Sequence, residues 1–142
     1  MKPTLHIIRG LPGSGKSTYA LQELPKSLHF EADRFFTNEK SEYNFNARLL
    51  RVAHSWCHAN VVRALINGHN AAVSNTFTKL WEIQKYIDLI HEYDLDIDIK
   101  IVEMKTQYQN IHNVPQDKLD LMHNRWEELP TDFAFEVIRI TE

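Results

Sequence analysis

Gly10-Leu11-Pro12-Gly13-Ser14-Gly15-Lys16-Ser17 reads as a glycine, four residues, then Gly-Lys-Ser. That is the spacing of a loop that cradles phosphates. The glycines at 10, 13 and 15 let main-chain amides turn inward around phosphate oxygens without side-chain clashes, with Pro12 and Ser14 lying between them. Lys16 supplies a cation for β- and γ-phosphates, and the Ser17 hydroxyl suits Mg²⁺. Thr18 follows as a secondary phosphate contact. A helix starting at Lys16 aims its positive end at the same oxygens. The ligands implied are a nucleoside triphosphate, ATP, and Mg²⁺. A chance glycine-rich turn is the alternative. The strand-like run before the loop and the helix-like run after it argue against that alternative.

Asp33 falls at the end of a second strand-like run. Strand ends on the phosphate-loop side of a parallel sheet form the ligand crevice. A carboxylate there can accept a proton from an attacking hydroxyl, or it can simply cap the turn Arg34-Phe35-Phe36. Asn75 and Thr76, after a third run, either orient an acceptor or a metal-bound water, or form a helix-entry turn. Arg48 and Arg51 begin a long helical stretch and either grip a substrate phosphate or belong to a solvated face. His54 and His58 have spacing that could hold a metal, but no partner ligand pair stands out elsewhere, and packing is the better account. Trp56, Trp81 and Trp126 could stack on bases; packing is favoured for Trp81 and Trp126.

The elements that must position these residues alternate short strands with helices, which predicts a parallel α/β sheet. Leu5 to Ile8 reads as a central buried strand, followed by a helix ending by Leu24 ahead of Pro25. Leu28 to Ala32 reads as the second strand. A helix is predicted over about 46–67, with Leu50, Ala53, Cys57, Val61, Ala64 and Leu65 as its apolar stripe and Gly68 at its C-terminal end. Ala71 to Ser74 reads as the third strand, with Thr78 as the cap of the helix after it. Leu80, Ile83, Ile87 and Ile90 share a face of that helix. Ile97, Ile99 and Ile101 alternate with polar residues, as in a half-exposed strand. Lys105 to Val114 reads as a loop, Pro115 as the first turn of a helix to about Arg125, and Phe133 to Ile140 as the last strand.

The chain has 142 residues, which fits one domain. A formal net charge of -3 argues against coating nucleic acid through charge alone, while leaving room for a local basic groove. The only cysteine is Cys57, so no internal disulfide forms, and a reducing, cytoplasmic setting is expected. No apolar run approaches the length that spans a bilayer, and the N-terminus does not read as a signal peptide.

Taken in order, the phosphate loop, Ala32-Asp33-Arg34-Phe35-Phe36, Ser74-Asn75-Thr76-Phe77-Thr78 and Asn110-Ile111-His112-Asn113-Val114-Pro115 resemble a known family. They are similar to the P-loop kinase domains of the polynucleotide 5′-kinase group, closest to the NEDD4-binding-protein-2-like branch and its phage relatives. The resemblance covers roughly residues 5 to 127. It implies a three-layer α/β/α sandwich on a mainly parallel five-stranded sheet of order 2-3-1-4-5, with a small mobile lid. It also implies that Asp33 activates an acceptor 5′-hydroxyl, with Arg34, Arg48, Asn75 and Thr76 on the acceptor side. Gln109, Asn110 and His112 would belong to the lid.

Two positions depart from the pattern. Phe77 stands where a polar residue is usual, and Gln109 stands where the lid usually carries an arginine. Gln109 cannot neutralise charge on a transferred phosphoryl group as an arginine does; His112, Lys105, Arg125 and Arg34 are the candidate substitutes. The expectation is an ATP-dependent kinase acting on a hydroxyl, the 5′-OH of a nucleic acid end. A nucleoside or sugar kinase and a nucleotide-dependent switch are the alternatives.

Overall fold

The apolar N-terminal run folds as β1 (Thr4–Arg9), and the glycine-rich loop leads from it directly into α1 (Lys16–Glu23). The remaining elements of this computed structural model are β2 (Leu28–Phe30), two 3₁₀ turns (Ala32–Phe36 and Ala47–Leu49), α2 (Leu50–Ile66), β3 (Ala71–Asn75), α3 (Leu80–Glu92), β4 (Asp98–Met104), α4 (Gln116–Arg125) and β5 (Glu136–Ile140). Residues 2–106 and 114–141 are described. The expected lid residues Gln109, Asn110 and His112 lie outside them. Among the described residues no helix is long and apolar enough to cross a membrane.

The five strands pair in the order β2-β3-β1-β4-β5, and every pairing is parallel. Side-chain alternation sorts the strand residues into two faces. Leu5, Ile7, Val73, Ile99 and Ile101 pack against Cys57, Val61 and Leu65 of α2 and Ile83, Tyr86 and Ile87 of α3. Ile8, Ala72, Val102 and Met104 pack on the opposite face with Ala20 of α1. Helices on both faces make the three layers. β4 is therefore a central strand, and Ile101 and Val102 are both fully buried. That corrects the half-exposed expectation: period-two alternation fades where both faces are covered.

Local chemistry explains the boundaries. Gly68 (φ 85) ends α2 with two capping bonds, His69 N–H to Ala64 O and Gly68 N–H to Leu65 O, both at 3.0 Å. Leu50, expected in the apolar stripe, opens the helix and is 41% exposed. Thr78 does not cap α3. The Glu82 carboxylate accepts the Lys79 N–H at 3.1 Å, and Glu127 reaches back across the chain to accept the Leu80 N–H at 2.8 Å. The last strand begins at Glu136, with Phe133 and Phe135 packing against the core before it.

One row of the sheet is polar. Register aligns Arg9 with Asn75 on one side and Glu103 on the other, with Arg139 beyond. Arg9 and Glu103 are fully buried and paired at 3.0 Å, and Arg139 reaches the other Glu103 oxygen at 2.9 Å. The Arg9 guanidinium also donates to the Phe77 carbonyl (2.7 and 3.1 Å) and to the Glu127 carbonyl (2.9 Å), and it lies 3.8 Å from the centroid of the Trp126 ring. Removing one partner strands a buried charge. We expect Arg9→Met to lower unfolding free energy by about 3 kcal/mol. Arg9→Met combined with Glu103→Leu should recover part of that loss, because Arg139 is half-exposed and can turn to water. Urea denaturation of the three proteins measures both effects.

Candidate functional site

Gly13 (φ 82) and Gly15 (φ 89) take the left-handed geometry that turns their neighbours' amides inward. Gly10 is required for a different reason. A Cβ there would lie 2.4 Å from Ser14 Oγ and 3.0 Å from the Met104 carbonyl oxygen. The loop is thus packed down on the end of β4. Thr106 reinforces this by donating its hydroxyl to the Ser14 carbonyl at 2.7 Å. Ser14 itself is buried, and its N–H is donated to the Leu11 carbonyl at 3.1 Å. Lys16 Nζ spans the loop, donating to Gly10 O at 2.8 Å and Leu11 O at 3.1 Å. Burial pulls its pKa down to about 8, opposed by the carboxylates of Glu31 and Asp33.

The loop opens on a cavity of about 750 Å³. Pro12, Gly13, Gly15, Lys16, Ser17 and Thr18 form one wall, and Asp33, Asn75 and Thr76 stand in another. The sequence-predicted phosphate cradle and candidate base therefore share one space. Asp33 is not at a strand end, however. β2 stops at Phe30, and Asp33 lies in the first turn of a 3₁₀ helix, exposed. Partial desolvation and then the neighbouring Asp33 carboxylate push the Tyr43 phenol above its ordinary value. Asn75 is held in place by its side-chain oxygen, which accepts the Ala32 N–H at 3.0 Å. This bond fixes the turn that carries Asp33.

Arg34 and Arg48 do not line the cavity. Arg34 folds back on His29, donating to its carbonyl at 2.5 Å, and Arg48 lies exposed in the short turn before α2. The cationic wall is built instead by Arg51 of α2, Lys85 of α3 and Arg125 of α4. Trp81, expected in the core, is 68% exposed and lines the cavity. His54 and His58 also face it. Burial, then His54 and Lys85, lower the His58 pKa to about 4, so its imidazole is neutral at physiological pH. Its ring packs edge-on against Tyr86, with centroids 4.8 Å apart.

Glu31 was missed in the sequence. It follows β2, and the Ser17 hydroxyl donates a hydrogen bond to its carboxylate. Its only sequence signal is an acidic residue at a strand end two positions before Asp33. Ser17 and Glu31 present hard oxygen donors, which fit Mg²⁺. No cluster of three or more His, Cys, Asp or Glu side chains is found among the described residues. Phe77, the first departure, sits at φ 47 and is buried, with its ring 5.8 Å from Tyr86. Its carbonyl is the one that Arg9 holds, which stabilises an otherwise unfavourable backbone.

Comparison with known proteins places this architecture. The model of the AAA domain family matches residues 5–129. Human NEDD4-binding protein 2 (Homo sapiens) is 31% identical over 83% of this chain, and the chain spans 7% of that relative's length. Among solved structures, a sugar kinase from Janibacter superposes with a TM-score of 0.63 at 14% identity, covering 99% of this chain and 86% of the other. A chain of the Pnkp1/Rnl/Hen1 RNA repair complex gives 0.53 at 22% identity, covering 92% and 41%. At those identities the two structures speak for the fold alone. With its sheet order, its phosphate loop and the extent of these matches, the chain belongs to the AAA domain family, as a P-loop kinase-like domain homologous to part of NEDD4-binding protein 2.

Proposed function

We propose that the domain transfers the γ-phosphoryl group of ATP to the 5′-hydroxyl of a nucleic acid end. The observation that carries this reading is the sharing of one cavity by Lys16, Ser17 and Asp33. The loop amides and Lys16 bind the triphosphate. Asp33 takes the proton of the acceptor hydroxyl as its oxygen bonds to the γ-phosphorus, and the bond to the β,γ-bridging oxygen breaks to release ADP. Ser17, with the Glu31 carboxylate beside it, would hold Mg²⁺, which would supply positive charge for the triphosphate. Catalysis of this kind is mainly positioning and charge stabilisation. With glutamine at position 109, the positive charge for the transferred group has to come from elsewhere, and Arg125, the last residue of α4, lines the cavity.

Several features support a polynucleotide acceptor over a small metabolite. Phe45 and Trp81 are exposed and line the cavity, and Tyr43 stacks parallel to Phe45 with centroids 6.5 Å apart. Exposed aromatic faces of this kind stack on bases. The cations at 51, 85 and 125 come from three separate helices, which suits an extended anion. The chain in the RNA repair complex shares the fold. The sugar kinase shares it as well, so the acceptor must be tested directly.

The test is labelled ATP and Mg²⁺ offered with 5′-hydroxyl DNA, 5′-hydroxyl RNA, nucleosides and sugars. Label on oligonucleotides is the expected result; label on metabolites alone rejects the acceptor assignment. A silent panel with ATP still bound points to a nucleotide-dependent switch. Asp33→Asn should keep ATP affinity and lose transfer on the order of 10²–10⁴-fold; wild-type turnover in that variant removes Asp33 from the mechanism. ATP binding also has a predictable pH dependence. Phosphate favours the charged Lys16 ammonium, so its pKa of about 8 rises in the complex. Between about 8 and that raised value, binding takes up a proton. Affinity then falls with rising pH, by up to about tenfold per pH unit, and this group contributes no slope well below 8. Calorimetric titration in two buffers of different ionisation enthalpy measures the proton uptake, and Lys16→Met should abolish it.

A further inference from the structure

A P-loop nucleotide site commonly holds its cation with the loop Ser or Thr and a carboxylate at the end of a neighbouring strand. In this chain β3, which adjoins β1, ends in Ser74 and Asn75 and continues to Thr76, with no carboxylate among them. Asn75 is already committed to the Ala32 N–H. Of the acidic residues that line the cavity, Glu82 is taken up by the Lys79 N–H at the start of α3, and Asp33 lies on the exposed turn beside Tyr43. The third is Glu31, and it accepts the Ser17 hydroxyl directly.

Glu31 is well placed to stay there. Its backbone is extended (φ -139, ψ 138) where the chain leaves β2, and its side chain is only 21% exposed. The His29 ring lies under it, with Nε2 3.4 Å from a Glu31 oxygen and 2.6 Å from Ser74 Oγ. Ser17, Glu31, His29 and Ser74 thus form a chain of polar contacts from the start of α1 to the end of β3. A hydroxyl that gives its hydrogen to a carboxylate keeps its oxygen lone pairs for a cation.

We propose that Glu31 is the carboxylate arm of the divalent-cation site, replacing from β2 the acid that β3 lacks. It orients the Ser17 oxygen toward Mg²⁺ and sets its charge one hydrogen bond from that ligand. The assignment rests on the triphosphate-binding reading above and is independent of the acceptor. Glu31 is a metal-positioning residue, separate in role from Asp33, although only Ala32 lies between them.

The experiment compares the affinity of a non-hydrolysable ATP analogue in Mg²⁺ with that in EDTA, by calorimetry. The proteins are wild type, Glu31→Gln, Glu31→Ser and Asp33→Asn. Partners that orient a metal ligand are worth about 10–100-fold in metal affinity. Glu31→Gln and Glu31→Ser should therefore lose about that factor of the Mg²⁺ enhancement while binding the analogue in EDTA at least as well as wild type. The EDTA arm reports that the variants are folded. Asp33→Asn should retain the enhancement. A full Mg²⁺ enhancement in both Glu31 variants overturns the proposal and leaves the kinase reading intact. A wild-type protein that binds the analogue in neither condition overturns the reading beneath it. Mn²⁺ in place of Mg²⁺ gives a spectroscopic check: its electron-spin resonance signal should titrate at higher metal concentration in the Glu31 variants.

Discussion

A buried ion pair closes the apolar stack of the central strands where the chain enters the phosphate loop. Arg9 and Glu103 close the stack in which Leu5 aligns with Ile99 and Ile7 with Ile101. Burying two charges is costly, and an apolar pair of similar volume often serves stability as well. This pair does something an apolar pair cannot. Arg9 spreads its donors over Glu103, the carbonyl of Phe77 and the carbonyl of Glu127. Three segments are thereby tied to the residue that precedes the phosphate loop: the end of β4, the bend entering α3, and the exit from α4. Glu127 returns the favour by capping α3 through the Leu80 N–H. The cavity walls carrying Trp81, Lys85 and Arg125 are referenced to the loop through that one guanidinium.

The same tie accounts for Phe77. A left-handed backbone at a bulky residue costs on the order of 1–3 kcal/mol and persists only where the surroundings impose it. Asparagine tolerates that conformation far better, which is why a polar residue is at home at such a bend. Here the ring is repaid by burial among Tyr86 and its neighbours in the core, and the carbonyl by two bonds from Arg9. The exchange leaves an aromatic ring rather than a hydrogen-bonding group at this point of the cavity lining.

The phosphate loop was fully legible in the sequence, because its spacing encodes a main-chain shape. So were the central strand, α1 and the Gly68 terminus, which depend on local rules. Part of what was not legible depends on partners distant in sequence. Thr78 is a reasonable cap by type, yet Glu82 and Glu127 supply the bonds at the start of α3. Trp81 stands on a helix that needs core anchors, which favoured packing, but it lies off the apolar stripe and is exposed. Arg34 and Arg48 have the right charge but lie outside the cavity lining, whereas Arg51 and Arg125, also singled out in the sequence, line it together with Lys85. Glu31 looked like one more acidic residue because its partner, Ser17, is brought to it only by the fold.

Two carboxylates so close in sequence would be redundant if their surroundings were alike. They are not. Glu31 lies against the sheet, engaged by Ser17 and close to a His29 ring that is kept below its ordinary pKa chiefly by burial. Asp33 stands on the exposed turn that Asn75 holds, beside the Tyr43 phenol. The 3₁₀ turn is what separates them. Had β2 continued through residue 33, side-chain alternation would have set both on the same face. By ending the strand at Phe30 and turning, the chain directs one acid toward the loop serine and sets the other on an exposed turn beside Tyr43. A metal-holding acid must remain engaged throughout turnover, whereas a base must be free to take a proton from a substrate that comes and goes. On the proposed reading, the break in β2 lets one short acidic segment serve both the cation and the acceptor.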